Sequence, residues 1–393
     1  MSAPPADAPI RVAFVLAELT LGGAEMMLWK LVSRLDGRRF QPLVIALSSR
    51  VDGMVELFER TGIPYRLLGM RSRADIGVLR RLVTVLREFQ PHIVQGWMYY
   101  GNLVAALASP CLPRRPAVLW NIRGTLNLAQ EKRLAIMVIR LGATLSFIPR
   151  KIINNSLESA VEHEQRLGYA SSKRVILPNG FDTDVFRPSD ESRVRVRSAL
   201  GLGGDAVVIG LIGRYHPMKD HDTFLRAAAL VSLQFPDAHF ALAGENVDPE
   251  NAALHNLIAT LRLAKRVHLL GIRNDMPALT AALDVAVSSS SGGEGFPNVV
   301  GEAMSCGVPC VATDVGASAS VIGDTGKCVP ARDPAALARA IVELLAAGGE
   351  ARQELGRRAR DRVIHQFALS SVAARYEDLY VQVHAQSAER RQA

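Results

Sequence analysis

Residues 285–316 read VAVSSSSGGEGFPNVVGEAMSCGVPCVATDVG. Val285 to Ser288 is a short apolar run of strand length, Val299 to Cys306 has room for two helical turns, and Cys310 to Thr313 is a second apolar run. Strand, loop, short helix and strand in that order form the repeating unit of a parallel sheet. The loop carries the chemistry. Its small residues permit close approach of a ligand, Pro297 preorganises a helix start, and the first helical N–H groups are left for a phosphate. Glu294 and Glu302, eight residues apart, flank that anion hole. Carboxylates beside a phosphate make sense as acceptors for neutral hydroxyls, such as those of a sugar and a ribose. The plainer alternative, in which Glu294 caps the helix and Glu302 is salt-bridged, explains the glycines poorly.

The same alternation extends in both directions. Strand-like Ile10 to Ala17, Pro42 to Leu47, Ile93 to Gln95, Ala117 to Asn121, Lys151 to Asn154 and Arg174 to Leu177 are separated by helix-like Ala24 to Leu35, Met54 to Arg60, Asp75 to Phe89 and Glu131 to Phe147. Pro178-Asn179-Gly180 and the polar stretch Asp182 to Arg197 interrupt it with turn chemistry. A second series runs from Val207 to Thr313, and the last third is helical, over Pro334 to Ala346, Ala351 to Gln366 and Leu369 to about Gln386. The expected architecture is α/β, with two doubly wound parallel-sheet, Rossmann-like domains facing a cleft. Residues 1–9 are read as a disordered tail without a signal peptide, 10–180 as the first domain, 181–365 as the second, and 366–393 as a helix returning to the first.

Two further loops carry chemistry. Gly213 to Asp220 follows the first strand of the second domain, at the carboxyl edge where open α/β sheets bind ligands; Arg214 and Lys219 are spaced there to close around a diphosphate. Gly22-Gly23 opens the first helix and would let the backbone approach an anion, although a tight turn is the simpler account of the pair. Leu19, Thr20 and Leu21 stand where the glycines of a dinucleotide fingerprint would fall, which disfavours a nicotinamide oxidoreductase. The four cysteines lack disulfide or zinc spacing and read as buried thiols in a reducing compartment.

With these residues in place, the chain resembles the retaining glycosyltransferases of family 4, also called glycosyl transferases group 1, which have the GT-B fold. The resemblance rests on Gly22-Gly23, Pro178-Asn179-Gly180-Phe181-Asp182, Gly213-Arg214 with Lys219-Asp220, Gly244-Glu245, and Glu294 with Glu302, and runs from Ile10 to about Leu379. It implies a nucleotide-activated sugar, a UDP-, GDP- or ADP-sugar, on the C-terminal domain and no separate cofactor or metal. Arg214 and Lys219 would hold the diphosphate, Glu302 the ribose, and Glu294 with the backbone of Gly295, Phe296, Pro297, Asn298 and Val299 the transferred sugar. Arg273 joins the nucleotide-binding set, and Gly22-Gly23 lies near the donor phosphates. The N-terminal domain would bind the acceptor, and the two domains would close about the linker. Arg214, Lys219, Glu294 and Arg123 are the catalytic candidates. Arg123 stands where the family usually has a histidine; an arginine cannot take a proton there but can bind a phosphate or a hydroxyl. Asp182-Thr183-Asp184 imitates a metal-binding triplet but belongs to the linker motif.

Net charge is +8, with 24 Lys/Arg against 13 Asp/Glu in residues 1–178. That basic half fits an anionic partner or surface, and equally a solvated, Arg-rich face. Arg71, Arg73, Arg80, Arg81 and Arg87 accompany one helix; Lys132, Arg133, Arg140, Arg150 and Lys151 surround the apolar run Leu134 to Ile148. Peripheral docking on anionic lipid from the cytoplasmic side, with a glycan or lipid-linked acceptor, fits this pattern, while a buried core helix is the simpler account of Leu134 to Ile148. Trp97, Tyr99 and Tyr100, near Asn102, could stack on a sugar. No nucleic acid is expected. The rivals are a sugar-nucleotide epimerase or hydrolase on the same fold and a catalytically silent nucleotide-binding protein.

Overall fold

A computed structural model describes residues 8–72, 75–126, 128 and 132–392. It divides into two compact units, one comprising residues 1–180 with 369–393 and the other 181–368. The first contains β1 (Ile10–Leu16), α1 (Gly23–Val32), β2 (Phe40–Ala46), α2 (Met54–Thr61), β3 (Tyr65–Leu67), α3 (Gly77–Phe89), β4 (Ile93–Trp97), α4 (Met98–Ala108), β5 (Ala117–Ile122), α5 (Arg133–Thr144), β6 (Lys151–Asn154), α6 (Leu157–Leu167) and β7 (Arg174–Ile176). Its seven strands are ordered β3-β2-β1-β4-β5-β6-β7, and every pairing is parallel. Helices cover both faces, so β1 is buried from Val12 to Leu16 instead of alternating.

The second unit holds α7 (Asp190–Ala199), β8 (Val207–Ile212), α8 (His221–Gln234), β9 (Ala238–Ala243), α9 (Ala252–Thr260), β10 (Val267–Leu269), α10 (Met276–Ala281), β11 (Val285–Ser288), α11 (Asn298–Ser305), β12 (Cys310–Thr313), α12 (Ser318–Ile322), β13 (Gly326–Val329), α13 (Pro334–Ala346) and α14 (Gly349–Phe367). Its six strands run β10-β9-β8-β11-β12-β13, again all parallel. The chain then returns to the first unit as α15 (Leu369–Gln392). Val372, Ala373, Tyr376, Tyr380 and Val383 recur at helical spacing, and all enter the core that contains β1. Tyr380 Oη donates to Gln95 Oε1 at 2.8 Å, fixing the helix on β4.

In each unit the strand order reverses beside the first strand, between β1 and β4 and between β8 and β11. Helices after those neighbouring strands leave on opposite faces, which opens a crevice at the carboxyl edge. That is why the loops 213–220 and 289–297, far apart in sequence, lie side by side.

Several elements depart from the sequence expectation. The polar stretch Asp182 to Arg197 is linker only in its first part, because Ser189 caps α7 and accepts from the Ser192 N–H. The helix expected over Glu131 to Phe147 ends at Thr144, and Glu131 lies outside the described residues, as do Arg73 and most of the N-terminal tail. Trp97 to Asn102, which carry the aromatic group, form the end of β4 and the start of α4, which follow each other without a break. Both α6, capped by Ser156 and ended by left-handed Gly168, and the short edge strand β3 went unrecognised.

Candidate active site

In the second unit the loops after β8 and β11 are stitched together. The Ser291 N–H donates to the Met218 carbonyl at 2.8 Å, Ser289 Oγ donates to the Lys219 and Asp220 carbonyls, and Thr313 Oγ1 donates to the Ser290 carbonyl at 2.6 Å. Two glycines are required by geometry. Gly293 has φ +76°, and Gly316, at φ +58°, lies so close to the Glu294 carbonyl that a Cβ would overlap it. The result is a fixed position for Glu294. Its carboxylate is ion-paired to Lys219 Nζ and accepts from Ser290 Oγ at 2.9 Å, with only 14% of the side chain exposed.

Immediately beyond, α11 starts at Asn298 with Pro297 as its cap residue and no side-chain cap. Phe296 turns inward and stacks on Phe181, ring centroids 6.0 Å apart, with Phe367 set edge-on against both. This aromatic trio anchors the loop by its side chains. Arg214 is exposed on the loop after β8. Burial pushes the neighbouring His221 down to about 4, with the Lys219 charge acting in the same direction, so its ring is neutral at physiological pH. Among the described residues neither His221 ring nitrogen has a side-chain hydrogen-bond partner, and the Tyr215 ring packs edge-on against the imidazole at 5.4 Å.

In the first unit, Gly22 caps α1 at the carboxyl end of β1 in extended conformation. The Glu25 carboxyl folds back over it, its proton affinity raised by burial and by the charges of Glu18 and Asp52. Arg123, just past β5, is 8% exposed. Its guanidinium donates to Asn179 Oδ1, to Asn121 Oδ1 at 3.3 Å and to Tyr376 Oη at 2.8 Å, and lies 5.4 Å over the Trp97 ring. Among the described residues no set of three or more His, Cys, Asp or Glu side chains is placed to hold a metal ion.

Residues 21–185 match the family described as Glycosyltransferase Family 4, and residues 206–347 match Glycosyl transferases group 1. Between them the two matches take in every strand but β1, together with the loops after β8 and β11. The chain belongs to the family 4 glycosyltransferases. It is 36% identical over 208 residues to the D-inositol 3-phosphate glycosyltransferase of Mycobacterium sp. (strain KMS), covering 51% of this chain and 45% of the relative. It is 27% identical over 213 residues to the UDP-Gal:alpha-D-GlcNAc-diphosphoundecaprenol alpha-1,3-galactosyltransferase of Escherichia coli, covering 53% and 54%. The matched regions thus span about half the length of these curated relatives. The structure of Anabaena HepE in complex with UDP and glucose superposes with a TM-score of 0.82 at 22% identity, covering 95% of this chain and all of that one. The two parallel-sheet domains are those of the GT-B fold.

In this family 4 glycosyltransferase, the geometry brings Lys219, Glu294 and the Gly295 to Val299 segment together and sets Glu302 on the second turn of α11. Arg273 forms a bidentate pair with Asp275, at 2.7 and 2.6 Å, at the start of α10. At the Gly22-Gly23 turn, expected to face an anion, the Glu25 carboxyl lies over Gly22 and Asp52 accepts from the Leu21 N–H at 2.7 Å. Trp97 cannot stack on a sugar because it is 1% exposed and its indole N–H donates to the Ala24 carbonyl at 2.9 Å. Tyr99 instead bonds His163 Nε2 at 2.8 Å. Asp182 accepts from the Asp184 and Val185 N–H groups, which makes it a turn residue. Sequence reasoning missed Ser290, which joins Glu294 through a loop contact without a sequence signal of its own.

Proposed function

We propose that the protein is a retaining, metal-independent glycosyltransferase that moves a sugar from a nucleoside-diphosphate sugar to a hydroxyl of a glycan or lipid-linked acceptor in surface polysaccharide or glycolipid synthesis. The observation that carries this reading is the Lys219–Glu294–Ser290 cluster beside the uncapped start of α11. A cation, a hydroxyl acceptor and a helix N-terminus meet there at the switch point of the sheet. On this reading Lys219 leaves Glu294 when the donor enters and turns to the diphosphate, with exposed Arg214 closing from the other side. Glu294, released, accepts from hydroxyls of the transferred sugar, and Glu302 holds the ribose. The acceptor hydroxyl attacks from the face that the diphosphate leaves, and a phosphate oxygen takes its proton as the glycosidic bond breaks. The two cations provide the charge stabilisation that a metal would otherwise supply.

The relatives indicate where to start. The E. coli relative is named for UDP-Gal and an undecaprenyl-diphosphate-linked acceptor, and the Anabaena structure holds UDP, so UDP is the first nucleotide to test. Nucleoside diphosphates and UDP-sugars should be screened for protection against thermal unfolding, then for transfer in EDTA with assignment of the product anomer. A retained anomer formed at full rate in chelator is the expected result. An inverted product, or a metal-reversible loss of transfer, overturns the proposal. Consumption of donor without an acceptor would mark a hydrolase or epimerase.

A further inference from the structure

The apolar run Leu134 to Ile148 is not a buried helix. Only one side of α5 is in the core, through Val138, Ile139, Gly142 and Ala143. Arg133, Met137, Arg140, Leu141 and Thr144 are exposed and lie within about 100° of one another around the axis, by the helical repeat. Met137 is 59% exposed and Leu141 44%, and just past the helix end Phe147 is 66% exposed. The helix displaying them is firmly held, since the Tyr169 hydroxyl donates to the Ile139 carbonyl at 3.0 Å. So is the following turn, where Lys173 Nζ donates to the carbonyls of Phe147 and of Pro149 and Arg150 lies close enough to perturb it.

We infer that this stripe of α5 is a docking surface for an anionic lipid bilayer. Large apolar side chains at the centre of an exposed face are costly in water and are rewarded only when covered. The charges on the same face select the cover. Among the described residues no carboxylate pairs with Arg133 or Arg140, so the face is basic as well as apolar, the pattern of a helix lying in the headgroup region. A second copy of this chain is a poor occupant, because a twofold contact would set Arg133 and Arg140 against their own counterparts. The inference extends the proposed lipid-linked acceptor by naming the surface that brings the protein to it, and its test needs no turnover.

The full-length protein is sedimented with vesicles of phosphatidylcholine, with and without phosphatidylglycerol, at low and high salt. Binding only to the anionic vesicles, weakened by salt, is expected. Because each basic residue near such a surface is worth ~1 kcal/mol, the Arg133→Glu/Arg140→Glu protein should lose at least ~10-fold in partitioning. Met137→Ser/Phe147→Ser should lose a similar factor, and both variants should keep the parent's unfolding temperature and its turnover on a water-soluble acceptor. The inference is overturned if the parent ignores anionic vesicles, if neither variant differs from it, or if the parent forms a dimer that Met137→Ser/Phe147→Ser abolishes. Transfer to a soluble acceptor by a protein that binds no vesicles would refute the docking surface alone. Vesicle binding without any transfer would refute only the enzymatic reading.

Discussion

Arg123 Nη1 donates to the hydroxyl of Tyr376 at 2.8 Å, joining the end of β5 to a helix 253 residues further along the chain. Asn121 Nδ2 donates to the same hydroxyl at 2.8 Å, and Asn179, just before the chain leaves the first unit, accepts from the other side of the guanidinium. Arg123 therefore ties together three segments of one unit. Arg123→Ala should lower the stability of that unit by about 3 kcal/mol or more, because several buried partners lose a charged donor. Tyr376→Phe should cost about 1–2 kcal/mol. Denaturant unfolding followed separately for the two units checks this; a loss of turnover with an unchanged first-unit transition would instead make Arg123 a catalytic group.

The Lys219–Glu294 pair gives the two glutamates distinct expected phenotypes. Glu302→Ala should weaken UDP binding roughly 10- to 100-fold, the worth of a hydrogen bond to a charged acceptor. Glu294→Gln removes a carboxylate competing for Lys219, so UDP affinity should hold or tighten while kcat falls, by about 100-fold if the group acts mainly in the transition state. Calorimetry with UDP, paired with turnover of the intact donor, separates the cases. Equal loss of affinity in both variants would remove the assigned division.

His221 makes stability depend on pH. Burial lowers its folded-state value to about 4, against an unfolded value near ~6.5, so the unfolded chain binds the extra proton between those limits. Its contribution is intact above pH ~6.5 and declines as pH falls toward 4, by up to about 3 kcal/mol. His163, also depressed by burial, adds a slope of the same sign in the first unit. Thermal melts of the second unit between these pH values should show a steep acid slope that flattens in His221→Asn. An unchanged slope would assign it to other groups.

The thiols should react in a fixed order. Cys306 and Cys310 are buried, and burial pushes Cys306 up to about 12 and Cys310 higher still, so neither is a thiolate at neutral pH. Cys328 is exposed but raised to about 11 by partial burial and the Asp314 charge. Alkylation of the native protein at pH 8 should label exposed Cys111 first, Cys328 slowly, and the other two only in denaturant. Mass spectrometry of the modified peptides gives the order, and early labelling of Cys306 would contradict the packing around α11.

Apart from β3 and β13, the strands, the order of the two units and the loop 289–297 were legible in the sequence because each is a local pattern: apolar runs of strand length, turn residues between them, and a proline ahead of a short helix. Glu294, Glu302 and Lys219 could be named as candidates from residue type and their place at strand ends. Their relation to each other could not, because Lys219 and Glu294 meet only when the order reversal between β8 and β11 sets two loops side by side. The tertiary structure alone also decided three side-chain fates. Arg273 turned to Asp275 two residues away, Trp97 went into the core, and Arg123 was enclosed by a helix from the far end of the chain. Which face of α5 is covered was equally beyond the sequence. An apolar run at helical spacing fixes the helix, but what packs against each face depends on the strands beneath it and on whether a neighbouring helix reaches across.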